Sequence, residues 1–367
     1  MQIGLLKEIK NHEYRVALTP NNVQVLFEHG HTIWVEKNAG AGIGFSDKDY
    51  EMAGAIILAH AKDIFAKAEM IIKVKEPQPE ECLLLREGQI LFAFLHLAAN
   101  PKVAKLLLAS GCIAFAYETV TDRFGNLPLL TPMSEIAGRL SVQAGAHYLE
   151  KTEGGRGILL GGFSGVPAAK VLILGVGNAG SQALKIAVGM GAEVTILNKS
   201  LKRLKELADL YPVHVQTALA TEEIVAEQVV KADLVIGTVL LPGAMTPKIV
   251  TRAMIKTMKP GSVIVDVSID QGGCFETSHP TTHSAPTYVE EGVIHYCVTN
   301  MPGAVPLTST LALTNMTFPF VLQLADLGYQ KACQENPYLK EGLNIFQGKT
   351  MHPIVAAALA LGSSRNN

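Results

Sequence analysis

Short apolar runs alternate along this chain with stretches whose apolar positions recur every three or four residues. The runs read as strands buried in a parallel sheet and the stretches between them as helices laid on its faces, which predicts an α/β protein. In order, MQIGLLKE is a strand, PNNVQVLFEHGH a helix and HTIWVEK an alternating strand. AEMIIKVKEP is a strand that stops at Lys75, because Glu76-Pro77 cannot continue it, with Ile72 and Val74 on one side and Lys73 and Lys75 on the other. GQILFAFLHLAAN sets His96 in apolar company, and GCIAFAYETV carries Tyr117 and Glu118 to a strand end. PLLTPMSEIAGRLSVQAGAHYLEK is a long helix capped near Thr131 or Ser134, and GGRGILLGGFSGVPAAK a glycine-rich connector with a hairpin. Further on, KADLVIGTVLLPG is a strand, PKIVTRAMIKTM a helix, and KPGSVIVDVSIDQGG a strand whose end exposes Ser268, Asp270 and Gln271. GVIHYCVTNMPGAVP is the last strand of this region, and the tail from Leu307 is one long helix broken near Pro319.

The most informative stretch is VLILGVGNAG, residues 171–180. A strand, Gly175-Val-Gly177-Asn178-Ala179-Gly180 and then a helix form G-x-G-x-x-G in the context it requires, with GAEVTILN supplying the next strand up to Asn198. Gly175 permits the turn, Gly177 admits a pyrophosphate, Gly180 lets helix and strand approach, and the helix start favours the phosphates. AGAGIGF, by contrast, has Phe45 where the last glycine would stand, and reads as a turn. The dinucleotide unit spans 132–302, residues 1–131 and 303–367 form a second α/β domain together, and ligand binding is expected to close the cleft between them.

Composition removes alternatives. The 31 basic and 33 acidic side chains give a net charge of -2 without a basic run, so nucleic acid is not an expected partner. The five cysteines are scattered with no C-x-x-C, so they suggest neither a zinc site nor a disulfide framework and fit a reducing cytoplasmic setting. The N-terminus lacks an apolar signal region, and no apolar run is long enough to cross a bilayer.

KEIKNHEYRVALTP, GAGIGFSDKDY, KVKEP, FLHLA, LLTPMSEIAGR, GVGNAG, VIVDVSIDQGG and VTNMPGAVP together resemble alanine dehydrogenase over essentially the full length. The resemblance implies a Rossmann-type doubly wound NAD-binding domain inserted into a substrate domain, a homohexamer, and reversible oxidation of L-alanine by NAD to pyruvate, ammonium and NADH. No metal is needed. It implies that Arg15 and Lys75 hold the substrate and that His96 and Asp270 carry the acid/base work. Cofactor-lining positions would be Ser134, the glycine turn from Gly175 to Gly180, Asn198, Arg203, Val239 and Leu240. Val267, Ser268, Ile269 and Asp270 would extend that lining, as would His279 and the run Val298, Thr299, Asn300 and Met301.

The chemistry gives these residue types a reason. Arg15 offers a planar fork for a carboxylate, Lys75 a cation for a developing carbonyl oxygen, and His96 with Asp270 a pair to deprotonate water and protonate the leaving amine. Because oxidation releases a proton, rising pH should favour it. Three positions depart from the family pattern: Asn198 where aspartate is usual, His279 for a common arginine, and Ala220 for a serine. Lys199, Ser200, Lys202 and Arg203 near Asn198 imitate a 2′-phosphate clamp, but Leu201, Leu204 and Leu207 read as a buried helical stripe that leaves Lys202, Lys205 and most of the others on a solvated face. Two rivals share the build: the NAD-binding component of a proton-pumping transhydrogenase, and a dehydrogenase for larger lysine-derived substrates. The first has no use for the carboxylate clamp and the water-activating pair.

Overall fold

The computed structural model describes residues 1–213, 215–239, 245–353, 355–357 and 359. The chain forms two compact units, residues 1–133 with 305–367, and residues 134–304. The strands begin with β1 (Gln2–Leu5), β2 (Thr32–Glu36), β3 (Ile56–Leu58), β4 (Met70–Ile72), β5 (Ile90–Ala93) and β6 (Ile113–Ala116). Next come β7 (Lys170–Leu174), β8 (Glu193–Asn198), β9 (Val215–Leu219), β10 (Leu234–Gly237), β11 (Val263–Asp266), β12 (Thr287–Glu290) and β13 (Val293–Tyr296). The tail adds β14 (Leu343–Phe346) and β15 (Lys349–Thr350).

In the first unit the sheet runs β15-β14-β6-β5-β4-β1-β2-β3. β1 to β6 pair in parallel, and β14 joins β6 antiparallel. The central strands are apolar throughout because helices cover both faces, and Leu6, Ile71, Leu91, Leu107 and Ala114 share one core. The first helix, Pro20–Glu28, begins where it does because Thr19 and Asn22 cap each other and proline supplies the first helical φ. In the second unit the order β9-β8-β7-β10-β11-β13-β12 is a doubly wound sheet, all parallel except the β12–β13 edge pair. Its core includes Leu172, Leu174, Val235, Ile264 and Phe275. The expected hairpin is present at Phe163 and Val166, whose amides and carbonyls pair both ways at 3.1 and 2.7 Å.

Several expectations need correction. β4 ends at Ile72 rather than Lys75, because the Glu8 carboxylate captures the next amides, Val74 at 2.6 Å and Lys75 at 3.3 Å. Lys73, expected beside Lys75, is fully buried between Glu8 (3.2 Å) and Glu81 (2.9 Å). Burial opposes its charge, but the two carboxylates outweigh that and raise its pKa. PKIVTRAMIKTM is helical only at Arg252–Ile255, since Ile249 and Val250 donate to the Cys274 carbonyl as extended chain and Thr251 starts the helix by capping Met254. The tail helix, Pro306–Glu335, passes through Pro319 without a break and interrupts its helical dihedrals at Gly328 (φ 68°, ψ 161°). Proline keeps a helical φ, whereas only glycine adopts the Gly328 conformation cheaply. Leu201 is 66% exposed, because Ser200 caps the helix and makes Leu201 its first residue, so the packed stripe starts at Leu204. At the surface of the second unit, Arg252 bridges Glu290 and Glu291.

Candidate active site

In the first unit the candidate groups stand at the ends of the β-strands. Arg15 is only 2% exposed, and its guanidinium lies fork to fork on Glu13, with Nε donating to Oε1 at 2.7 Å and Nη2 to Oε2 at 2.5 Å. Nη1 points to the Met133 sulfur at 3.0 Å. A buried cation needs such a partner, and the pair fixes the plane of the fork. Lys75 follows β4, partly buried, and its pKa is lowered, first by burial and then by the Arg15 charge. Glu8 accepts from the Lys75 amide and so anchors its backbone.

His96 keeps one apolar neighbour but is not buried among them as expected. Its side chain is 42% exposed, because the chain leaves β5 through a left-handed turn with His96 at φ 48°. Glu118 holds this turn by accepting from the amides of His96 (2.6 Å) and Leu95 (3.2 Å). Phe94 stacks parallel on the imidazole with centroids 5.8 Å apart. A histidine in that backbone region carries strain that its surroundings must sustain.

In the second unit Gly175 has φ +87°, Gly177 precedes the helix Asn178–Gly189, and Ala179 is partly exposed. A Cβ on Gly177 would meet nothing within 4 Å, whereas one on Gly180 would meet the Gly175 oxygen at 2.1 Å. The turn is open on its outer side and closed beneath, which fits a pyrophosphate laid on the helix start. Arg203 folds onto this turn, donating to the Val176 carbonyl (3.3 Å) and the Ser181 hydroxyl (2.9 Å), while Lys199, Lys202 and Lys205 are exposed. Asn198 ends β8, partly exposed, and its carbonyl accepts from Ala220.

Ser268 is not exposed as expected but buried, its hydroxyl donating to Val239 at 2.7 Å and its amide to Asp266 at 3.1 Å. Val267 donates to the Gly237 carbonyl, Ile269 is buried, and Asp270 is exposed on the single turn Ile269–Gln271. Val298 bridges Thr281, and the Thr299 amide donates to the Thr281 carbonyl. Asn300 has φ 59° and its carbonyl contacts His283 at 3.1 Å, while Met301 is buried at the start of a short turn. His279 stacks on Tyr288 with centroids 3.6 Å apart. Ser134 lies partly buried in the helix Thr131–Tyr148, and Leu240 falls outside the described residues. Among the described residues no group of His, Cys, Asp or Glu is placed to hold a metal, and no helix is long and apolar enough to cross a membrane.

Sequence reasoning missed the supporting groups. Glu13 under Arg15, Glu118 behind His96, and Asp266 behind Ser268 are isolated acids whose partners are remote or locally ambiguous in sequence. Gly138 is another: a Cβ there would meet the Ala179 carbonyl oxygen at 2.0 Å, so this helix glycine brings its backbone against the dinucleotide turn.

The family described as alanine dehydrogenase/PNT, C-terminal domain matches residues 141–353, and its N-terminal counterpart matches 4–137. The chain is 55% identical to the alanine dehydrogenase of Halomonas elongata, over 98% of this chain and 97% of that one. It is 52% identical to that of Bacillus subtilis, over 98% and 95%. A solved L-alanine dehydrogenase superposes with a TM-score of 0.95 at 49% identity, covering 98% of this chain and 99% of that one. A transhydrogenase from Sinorhizobium meliloti gives 0.82 at 27% identity, covering 96% and 99%.

Proposed function

This chain belongs to the alanine dehydrogenase/PNT family, and from that premise we propose that it is an NAD-dependent alanine dehydrogenase, interconverting L-alanine and pyruvate with ammonium. The observation that carries the reading is the likeness to curated alanine dehydrogenases along nearly the whole chain, 55% over 98% of it. The transhydrogenase likeness is weaker at 27% identity.

The overall balance is L-alanine, NAD⁺ and water going to pyruvate, ammonium, NADH and a proton. The oxidised nicotinamide, when bound, accepts hydride from the alanine Cα. Arg15, its plane set by Glu13, takes the carboxylate. Water then adds to the substrate iminium carbon, and by the family likeness His96 and Asp270 carry the acid/base work, taking a proton from that water and returning one to the departing amine. Lys75 stabilises negative charge on the oxygen as the carbonyl forms. The glycine turn, Arg203 and Asn198 hold the dinucleotide. By the same family likeness the working form is a homohexamer in the cytoplasm, which light scattering tests by a mass of six chains.

The direct test mixes the protein with NADH, ammonium and pyruvate and follows loss of reduced nicotinamide absorbance. Rapid loss with pyruvate and little with 2-oxoglutarate is expected. The reverse preference refutes the substrate assignment.

Cofactor preference turns on Asn198. Aspartate at this strand end would accept two ribose hydrogen bonds and repel a 2′-phosphate, whereas asparagine keeps one acceptor without the repulsion. Replacing a charged hydrogen bond by a neutral one costs about 1 kcal/mol, or roughly five- to tenfold in affinity. NAD should still be preferred over NADP, because Lys199 and Lys202 lie in solvent and Arg203 is committed to the turn. Asn198→Asp should widen the preference, and equal kcat/KM with NADPH in the parent would reverse this assignment.

Lys75 sets a pH limit on substrate binding. Only its ammonium form stabilises the carboxylate and carbonyl oxygens of pyruvate, and that form is lost as pH rises through a pKa lowered by burial and Arg15. Pyruvate binding to the NADH-loaded protein should therefore weaken at a pH below about 10.4, where an ordinary lysine titrates. In Lys75→Arg the fall should move beyond pH 11, since a guanidinium does not titrate there. An identical pH profile for both proteins would exclude Lys75 as the titrating group.

A further inference from the structure

The turn that carries Asp270 ends in a feature that none of the assigned roles uses. Gly272 and Gly273 both have positive φ, +92° and +75°, so the backbone turns sharply twice in succession. Three carbonyls of this stretch, those of Gly272, Gly273 and Phe275, converge on one point, which the Lys248 ammonium occupies at 2.5, 3.1 and 3.0 Å. An ammonium has three donors and no acceptor, so its capacity and the demand of the carbonyls match.

The opposite side of the turn is held just as firmly. Asp266, buried at the end of β11, accepts from Ser268 N (3.1 Å), Cys274 N (3.0 Å) and Ser278 Oγ (2.6 Å). The segment bearing Lys248 pairs with the same loop through Thr246 N to Gln271 O (2.9 Å) and Ile249 N to Cys274 O (2.8 Å). Glycine is needed at both positions by the positive φ, and at Gly273 also by space, since a Cβ there would meet the buried Asp266 Oδ2 at 2.4 Å. Asp266 gathers the amides from inside, and Lys248 gathers the carbonyls from outside.

We propose that Lys248 is a positioning residue for Asp270: by capping the carbonyls of Gly272, Gly273 and Phe275, its ammonium fixes the turn Ile269–Gln271 on which the Asp270 carboxylate is aimed. The inference rests on the catalytic reading of Asp270. Lys248 touches no reacting atom. Its effect passes through the turn, so it belongs to kcat rather than to substrate affinity, because small misplacements of a catalytic group cost rate steeply.

The test uses the full chain and a double-mutant cycle. Lys248→Met, which keeps the stem and removes the donors, should lower kcat for alanine oxidation about tenfold, with KM for alanine and NADH affinity within about twofold. Lys248→Arg, which keeps the charge and several donors, should recover most of that loss. Amide exchange at residues 269–274 should accelerate in Lys248→Met while β7 and β10 are unchanged. Because Lys248 acts through Asp270, adding Lys248→Met to Asp270→Asn should cost little more. Additive losses in the cycle, or parental kcat in Lys248→Met, would overturn the proposal. Normal turnover in Asp270→Asn alone identifies the separate failure of the catalytic reading, and with it removes the group that Lys248 is proposed to aim.

Discussion

His96→Ala and Asp270→Asn should each lower turnover by about two to four orders of magnitude while NADH affinity stays within a few-fold. The size follows from the chemistry: each removes a proton donor or acceptor, and neither removes a group that packs the core. His96 is 42% exposed and Asp270 stands at the surface of its turn, so truncation leaves no cavity. The backbone around His96 also argues for a role. A non-glycine residue at φ 48° costs on the order of 1–3 kcal/mol unless its setting compensates, and Glu118 supplies that compensation through two backbone amides. Steady-state rates in both directions, with NADH titrations of each variant, check the expectation, and near-parental turnover in either one takes that residue out of the mechanism.

Gly138→Ala should also be damaging, less steeply and by a different route. The added methyl would sit 2.0 Å from the Ala179 oxygen and 2.9 Å from its Cα, and these are backbone atoms that cannot rotate away. Either the helix Thr131–Tyr148 moves outward or the turn Gly175–Gly180 is displaced. Overpacking of this kind costs about 1–3 kcal/mol, and here the deformation falls on the segment proposed to bind pyrophosphate. NADH affinity should drop tenfold or more, accompanied by a melting temperature several degrees lower. Calorimetric titration and a thermal scan measure the two effects. Parental affinity in Gly138→Ala would mean that the turn tolerates the shift.

Parts of this molecule are written locally and others are not. β7, the turn Gly175–Gly180 and β8 were legible because each is determined within a few residues, by an apolar run or a glycine pattern. Arg15, Lys75, His96 and Asp270 stood out by their places at strand ends and connections, but their roles came through resemblance, since a single charged side chain has no periodicity that assigns it a task. The environment of His96 was misread because the positive φ is imposed by Glu118, distant in sequence, and not by Phe92 or Leu95. The break assigned to Pro319 belongs to Gly328, as an interior proline keeps a helical φ while a glycine permits the left-handed value. The short helix after Thr251 reflects pairing of Val250 with the Cys274 carbonyl, a tertiary contact stronger than the helical pattern of PKIVTRAMIKTM. β14 and β15 are short strands appended at a sheet edge, where four residues give too little pattern to register.

The burial of Lys73 bears on how the protein responds to its ionic surroundings. Its contacts with Glu8 and Glu81 lie where mobile ions cannot enter, whereas the bridges from Arg252 to Glu290 and Glu291 face the solvent. In molar sodium chloride the Debye length shrinks to about 3 Å, enough to mute the exposed bridges and leave the enclosed one intact. The Lys73 cluster should thus keep its attraction in brine while the Arg252 bridges lose most of theirs, so salt sensitivity is distributed unevenly along a single chain.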